Sequence, residues 1–165
     1  MKATLLDCRA VASETAHCAF TSLCRWRGQY WLAYRSAQSH GIVPPGVIQL
    51  RVSDAGDMWF YGKKFTMPQA DLRDPKFIAT DDFLYLLCGA YLPSPHQQHA
   101  QGLHAASGSN QLWTLYTYTR DGETWAPLTP MLRPNHWAWS AVVLKDQTWR
   151  LCSYNTGVAD LCNTI

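Results

Sequence analysis

The residue types best suited to chemistry stand in one short run, Asp71-Leu72-Arg73-Asp74-Pro75-Lys76. Two carboxylates flank an arginine just ahead of a predicted strand, and Pro75 is expected to hold Asp74 in an extended conformation. An arginine offers a planar fork for a carboxylate or for sugar hydroxyls. A carboxylate beside a guanidinium is expected to stay ionised, which suits hydroxyl binding better than proton donation. A salt-bridged surface turn is the alternative interpretation of the run.

A second candidate group surrounds the loop formed by residues 36–46. Arg35 ends the predicted strand before this loop, and His40 is the only titratable side chain within it. Histidine exchanges protons near neutral pH, so His40 is the candidate general acid or base of the loop. A solvated loop histidine is the alternative.

Aromatic side chains supply a third candidate group. Trp137 and Trp139 open a predicted strand, and Tyr154 ends the strand after it. A tryptophan face at the mouth of a pocket can stack against the CH groups of a sugar, while packing in the core explains the same residues equally well.

No metal or cofactor is predicted. His96, His99 and His104 stand in one segment, but proline, glutamine, serine and glycine surround them and no carboxylate accompanies them. That composition favours an insertion in the second unit over a zinc site. The chain also contains no Walker loop, no GxSxG and no HExxH motif.

The composition indicates a globular protein and excludes several partner classes. Hydrophobic residues make up 47% of the 165 residues and charged residues 16%, which argues against global disorder. A formal charge of +2 is too small to predict binding to nucleic acid. The apolar stretches are shorter than a membrane span, and the first residues make a poor secretory signal, which favours a cytoplasmic location.

Short strands joined by turn residues dominate the chain. Strand-like segments repeat in the same order: 19–26, 29–35, 46–53 and 58–65, then 76–80, 83–91, 111–119 and 124–128, then 136–144 and 147–155. Four-stranded units that repeat at about 50 residues are typical of a β-propeller. The sequence therefore predicts an all-β fold in one domain, 1–165, with blades at 17–66 and 74–130 and a partial blade at 136–157. A β-sandwich is the alternative fold.

One turn sequence, "YTRDGETW", stands near the end of the second unit. An aspartate carboxylate can accept backbone N–H bonds within a turn, glycine takes the left-handed conformation, and the tryptophan covers the turn. Its motif residues are Thr119, Asp121, Gly122, Thr124 and Trp125.

An earlier stretch, "VSDAGDMW", gives a second copy of this turn sequence. The copy retains Asp54, Gly56 and Trp59, and Val52 stands at the threonine position. A third stretch, "KDQTW", falls in a first hairpin of its unit and is interpreted as a coincidence.

These turns resemble the Asp-box of sialidase-like propellers. The order of elements over residues 17–157 is similar to the first blades of exo-sialidases and their uncharacterised bacterial relatives. The resemblance implies a six-bladed ring, of which the chain holds about two and a half blades. A second copy, or a longer chain, is then expected to complete the ring. It also implies a glycan ligand, with the Asp-boxes on the rim and the ligand at the ends of the inner strands.

Three functional hypotheses follow from these residues. The first is a glycoside hydrolase of exo-sialidase-like type, or a truncated form of one. Its catalytic residues would be Asp74 and His40, and its substrate contacts would be Arg35, Asp71, Arg73, Trp137, Trp139 and Tyr154. The second is a non-catalytic module that binds carbohydrate or protein, because 36–46 lacks the sialidase acid/base aspartate and Cys18-Ala19 lacks its arginine. The third is a five-bladed invertase-type or arabinanase-like glycosidase, which the Arg73-Asp74-Pro75 element resembles.

Overall fold

The computed structural model describes residues 8–68, 70–92, 111–155 and 160–164, and these residues form β-strands without a helix. The strands make three antiparallel sheets, none of them closed into a barrel. The predicted all-β class is confirmed. Within the described ranges, no helix is long and apolar enough to cross a membrane.

Each sheet is a meander in which every strand pairs with the next strand of the chain. The first sheet contains β1 (His17–Trp26), β2 (Gln29–Ala37), β3 (Val47–Ser53) and β4 (Phe60–Phe65). The second sheet contains β5 (Asp71–Ala79), β6 (Leu84–Leu92), β7 (Gln111–Thr119) and β8 (Thr129–Pro130). The third sheet contains β9 (His136–Val143), β10 (Trp149–Asn155) and β11 (Asp160–Thr164). The limits of the blades and the completion of a ring stay predictions.

Local turn chemistry explains the tight hairpins. Arg27 and Gly28 both have positive φ angles, 49° and 84°. Two successive residues of this kind match the right-handed twist of the flanking strands, and glycine takes this conformation without strain. The predicted turn between β1 and β2 is therefore present at the expected residues.

Three strand predictions need correction. The run 71–76 was expected just ahead of a strand that begins at residue 76, but β5 begins at Asp71 and contains the run. The segment 124–128 was expected to be a strand, but Trp125 makes only an isolated bridge with Thr119, and β8 begins at Thr129. Pro127 explains the break, because it has no N–H to donate to a ladder. The third sheet also contains β11, which the sequence pattern did not indicate because its five residues lack a clear alternation.

The sheets stack so that their first strands are neighbours: β1 contacts β5, and β5 contacts β9. Between the first and second sheets lies an apolar core built from side chains such as Ile48, Leu50, Leu72 and Leu86. A smaller core lies between the second and third sheets, built from Ile78, Leu87, Ala138 and Leu151. Stacking in this order brings the same end of β1, β5 and β9 together.

Tryptophans strengthen the contact between the first two sheets. The ring of Trp31 meets the rings of Trp26 and Trp125 edge to face, at centroid distances of 6.1 and 6.2 Å. Trp26 also donates its indole N–H to the carbonyl of Thr80, at 2.9 Å. These contacts place Trp26 and Trp31 in the core between the two sheets and Trp125 against it.

Candidate functional site

The first strand of every sheet carries a β-bulge at a corresponding place. In β1 the extra residue falls between the pairs Ala19–Arg35 and Ser22–Ala33. In β5 it falls between Arg73–Gly89 and Lys76–Leu87, and in β9 between Ala138–Ser153 and Ser140–Cys152. A bulge interrupts the alternation of a strand and redirects a side chain. The residues redirected in this way are Phe20, Asp74 and Trp139.

Two of the three bulges use a left-handed backbone at a residue other than glycine. Phe20 has a φ of 56° and Asp74 a φ of 50°. The expectation that Pro75 holds Asp74 extended is therefore wrong. Proline disfavours only the right-handed helical region for the residue before it, and the bulge requires the left-handed one. Such residues cost about 1–3 kcal/mol each and cluster at functional sites.

A buried ionic network lies beside these bulges. The Asp71 Oδ1 atom accepts hydrogen bonds from Arg35 Nε at 3.1 Å and from Arg35 Nη2 at 2.6 Å. The other oxygen, Oδ2, accepts from Arg73 Nε at 2.6 Å. The side chains of Arg35 and Asp71 are both 0% exposed, and that of Arg73 is 14% exposed. Arg73 is therefore the one member of this network whose guanidinium reaches the surface.

The rest of the Arg35 guanidinium holds the loop before β3. Its Nη1 atom donates to the carbonyl of Ser39 at 2.8 Å, and its Nη2 atom to that of Gly41 at 2.6 Å. Gly46 donates its backbone N–H to Asp71 at 2.6 Å. A Cβ atom at Gly46 would lie 2.5 Å from Arg35 Nε, so the loop passes where only glycine fits.

Arg35 and Asp71 were predicted as direct substrate contacts, and their burial corrects that assignment. Their polar atoms are already occupied by each other, by Arg73 and by the loop. They therefore position the loop and Arg73 beside the candidate site. Arg73 is partly exposed, so its role as a ligand contact stays a prediction, and its Nη2 atom reaches the carbonyl of His40 at 3.4 Å.

Asp74 has an environment different from the one the sequence suggested. Burial raises the pKa of its carboxyl, while Lys76, Arg73 and the Trp137 indole oppose that rise in part. Arg73 directs its guanidinium to Asp71, so its charge offsets only part of this rise. A carboxyl with a raised pKa suits proton donation better than one without the shift. Whether Asp74 stays ionised remains a prediction.

His40 is exposed, as expected of a loop histidine, and it meets two aromatic side chains of β1. Its ring lies edge to face with that of Phe20 at 5.4 Å, and its Nδ1 atom lies 3.3 Å from His17 Nε2. Sequence reasoning missed His17. One signal could have found it: His17, Asp71 and His136 are the first residues of β1, β5 and β9.

The two tryptophans of β9 differ in burial. Trp137 is only 4% exposed and covers Gly89, where an added Cβ would lie 2.1 Å from the indole ring. Its prediction as a sugar-stacking surface is therefore corrected to a packing residue. Its buried indole N–H makes no hydrogen bond among the described residues, and it lies close enough to Asp74 to oppose the rise in the pKa of that carboxyl.

Trp139, the bulge residue, is 56% exposed and stays the candidate for stacking. The Tyr154 side chain and the segment with His96, His99 and His104 lie outside the described residues. Elsewhere, no group of three histidine, cysteine, aspartate or glutamate side chains has the arrangement of a metal site.

The "YTRDGETW" turn, which follows β7, forms a closed hydrogen-bond system. Asp121 Oδ1 accepts the backbone N–H groups of Glu123 and Thr124 at 2.9 and 2.8 Å. Thr119 Oγ1 accepts the N–H of Gly122 at 2.9 Å, and Trp125 donates its indole N–H to the Gly122 carbonyl at 3.2 Å. The φ of Gly122 is 84°, as its place in the turn requires.

The earlier turn shares two of these hydrogen bonds, but the residues before its glycine align with the "YTRDGETW" turn one position later than expected from the sequence. Ser53 Oγ accepts the N–H of Gly56 at 2.8 Å, and Trp59 donates to the Gly56 carbonyl at 3.1 Å. Ser53, and not Val52, therefore occupies the position of Thr119. Ala55 stands at the position of Asp121, while Asp54 accepts a bond from Gln29 at 2.9 Å.

The assignment of Asp54 as the turn-bridging carboxylate is thus wrong, and the first copy of the turn lacks that group. Gly56, with a φ of 87°, and Trp59 keep the places predicted for them. The third stretch, with Asp146, lies in the β9–β10 hairpin, where Asp146 accepts from Thr148 alone among the described residues.

Comparisons with known proteins do not supply a family. No family model matches the chain, and no curated protein matches it. The function must therefore be argued from the residues at the bulges.

Proposed function

We propose that the chain is a glycan-recognising protein of sialidase-like propeller type whose ligand lies at the bulged ends of β1, β5 and β9. The observation that carries the proposal is the bulge repeated in all three first strands. At one end of the stacked sheets it redirects the acidic side chain of Asp74 and the aromatic side chains of Phe20 and Trp139. Backbone strain held in place by a rigid sheet is characteristic of binding and catalytic positions.

The chemistry of this end suits glycoside hydrolysis. Asp74 carries a carboxyl whose pKa is raised, so it can protonate the oxygen of a leaving group. Arg73 offers part of its guanidinium to an oxygen-rich ligand, and Trp139 offers an exposed indole face. We assign Asp74 as the acid, and Arg73 and Trp139 as ligand contacts.

A binding module without turnover is the second candidate, and one observation favours it. Glycosidases of the common type require a second carboxylate or an equivalent group at the reacting carbon. Asp71, the neighbouring carboxylate, has both oxygens occupied by arginine and by the Gly46 N–H. It is therefore unavailable as that second group.

The test combines a glycan array with a panel of fluorogenic glycosides that includes sialosides. We expect binding by the wild-type chain and, for the enzyme, turnover that Asp74→Asn lowers by about 10²–10⁴-fold, the usual contribution of a general acid. The matched control is Asp57→Asn, at an exposed turn carboxylate, and it is expected to change neither binding nor turnover.

Trp139→Ala is expected to weaken binding without lowering the melting temperature. Binding without turnover by the wild-type chain would select the module. Absence of binding across the array, or full turnover in Asp74→Asn, would reject the proposed site.

A further inference from the structure

A chain of three side chains leads from the buried ionic network to the exposed loop. Arg35 Nη1 lies 3.2 Å from His17 Nδ1, and His17 Nε2 lies 3.3 Å from His40 Nδ1. The two imidazole rings meet edge to face, with centroids 5.2 Å apart and planes at 72°. Arg35 is buried and His40 is exposed, so the chain joins the interior to the candidate site.

The direction of the hydrogen bonds in this chain follows from the chemistry of arginine. A guanidinium has five donors and no acceptor. His17 Nδ1 must therefore accept, which places the proton of the neutral ring on Nε2. That proton is donated to His40 Nδ1, and the proton of a neutral His40 must then lie on its own Nε2.

The charges around His17 oppose its protonation. Burial lowers the pKa of its imidazole first, followed by the positive charges of Arg35 on β2, His40 in the loop and Arg73 on β5. The Asp71 carboxylate, the counter-charge of Arg35, is occupied by the two arginines. A second proton on His17 would also point at Arg35, so the ring stays neutral at neutral pH.

We propose that His17 is a positioning residue that fixes His40 in the tautomer whose Nε2–H donates outward. His40 then recognises a hydrogen-bond acceptor of the ligand, such as a ring, hydroxyl or carboxylate oxygen. The inference about the ligand rests on the proposed function, whereas the inference about the His40 tautomer does not. The same geometry removes His40 as general base, because His17 already occupies its one acceptor nitrogen.

The test is a long-range ¹H–¹⁵N spectrum of the intact chain labelled at histidine, which distinguishes the two neutral tautomers. In the wild type we expect both His17 and His40 to carry the proton on Nε2. His17→Asn retains an oxygen that can accept from Arg35 but is too short to donate to His40. His40 should then become a mixture of tautomers, with the fold retained.

His136→Asn is the matched control, since His136 begins β9 as His17 begins β1, and it should leave the His40 signals unchanged. For a glycan found on the array, His17→Asn should weaken binding by roughly three- to tenfold, the loss of one well-oriented neutral hydrogen bond.

A wild-type His40 with its proton on Nδ1 would overturn the proposal, as would an unchanged His40 tautomer in His17→Asn. Because the wild-type spectrum is decisive by itself, a variant that fails to fold leaves the test intact. The expected tautomers without any glycan binding would reject the proposed function and leave the role of His17 standing.

Discussion

Arg35 on β2 and Asp71 on β5 form an ion pair in which the closest atoms are 2.6 Å apart and neither side chain is exposed. The pair joins the first sheet to the second. Each charge is satisfied only because the other is present, together with the loop carbonyls and the Gly46 N–H. This relationship fixes how the two sheets meet beside the bulges of β1 and β5.

Breaking this pair should destabilise the chain strongly. Asp71→Asn leaves the Arg35 guanidinium buried without a counter-charge, and such a change costs about 3–5 kcal/mol in the free energy of unfolding. Equilibrium unfolding in urea measures it. Arg25→Met, at an exposed arginine of β1, is the control and should stay within about 0.5 kcal/mol of the wild type. If Asp71→Asn lowers the free energy of unfolding no more than Arg25→Met does, water must reach the pair.

A methyl group at Gly89 should displace Trp137. The added Cβ would lie 2.1 Å from the indole ring, a distance at which the ring or the backbone must move. Overpacking of this kind costs about 1–3 kcal/mol. We expect Gly89→Ala to lower the urea midpoint and to change the near-ultraviolet circular dichroism of the tryptophans.

Gly62→Ala is the comparison for this variant, because its Cβ would meet the Leu50 Cβ at 3.2 Å and only a small shift is needed. Equal losses in the two variants would show that Trp137 does not pack against Gly89 in solution.

Acid should weaken the "YTRDGETW" turn through Asp121. The backbone N–H groups of Thr124 and Glu123 lower the pKa of this carboxyl to about 2. A folded-state pKa below the unfolded value of about 3.9 means that the contribution is complete above about pH 5 and is lost progressively as the pH falls towards 2. Asp121→Asn should therefore flatten the dependence of stability on pH in that window.

The measurement for this prediction is the urea midpoint at several pH values between 5 and 2. Asp54→Asn is the matched control, since Asp54 accepts from a glutamine side chain and not from the turn backbone. An Asp121→Asn slope identical to the wild-type slope would contradict the prediction.

Ser53 should matter to the first turn as Thr119 does to the second. Both hydroxyl oxygens accept the glycine N–H of their turn, and both residues are 1% exposed. Removing either acceptor leaves a donor unsatisfied, at a cost of about 1–3 kcal/mol. Ser53→Ala and Thr119→Ala should therefore both lower stability, whereas Ser53→Thr should be tolerated. If Ser53→Ala is neutral, the alignment of the two turns is wrong.

Local signals explain what could be predicted from the sequence about the fold. Alternation and β-favouring residues located β1, and Arg27-Gly28 marked a hairpin, because strand and turn preferences depend on neighbouring residues. The Asp71–Lys76 run was selected for its residue types, and in the fold Asp71 and Arg73 belong to the buried ionic network. These features are properties of short segments and need no knowledge of the packing.

The tertiary structure decided which of the selected residues face a ligand. Trp137 and Trp139 share a parity along the chain, yet the bulge between them buries one and exposes the other. The Arg73 guanidinium was expected to act on Asp74, but it pairs with Asp71, and burial raises the Asp74 pKa. Neither outcome follows from the order of the residues.

The sequence by itself determined an all-β chain of repeated hairpins with a polar run at the start of β5. Only the tertiary structure placed His17 against His40, 23 residues away, and Arg35 against Asp71, 36 residues away. The physical reason is that strand and turn preferences act over a few residues. Burial, charge pairing and the direction of hydrogen bonds depend on groups that meet only when separate sheets pack together.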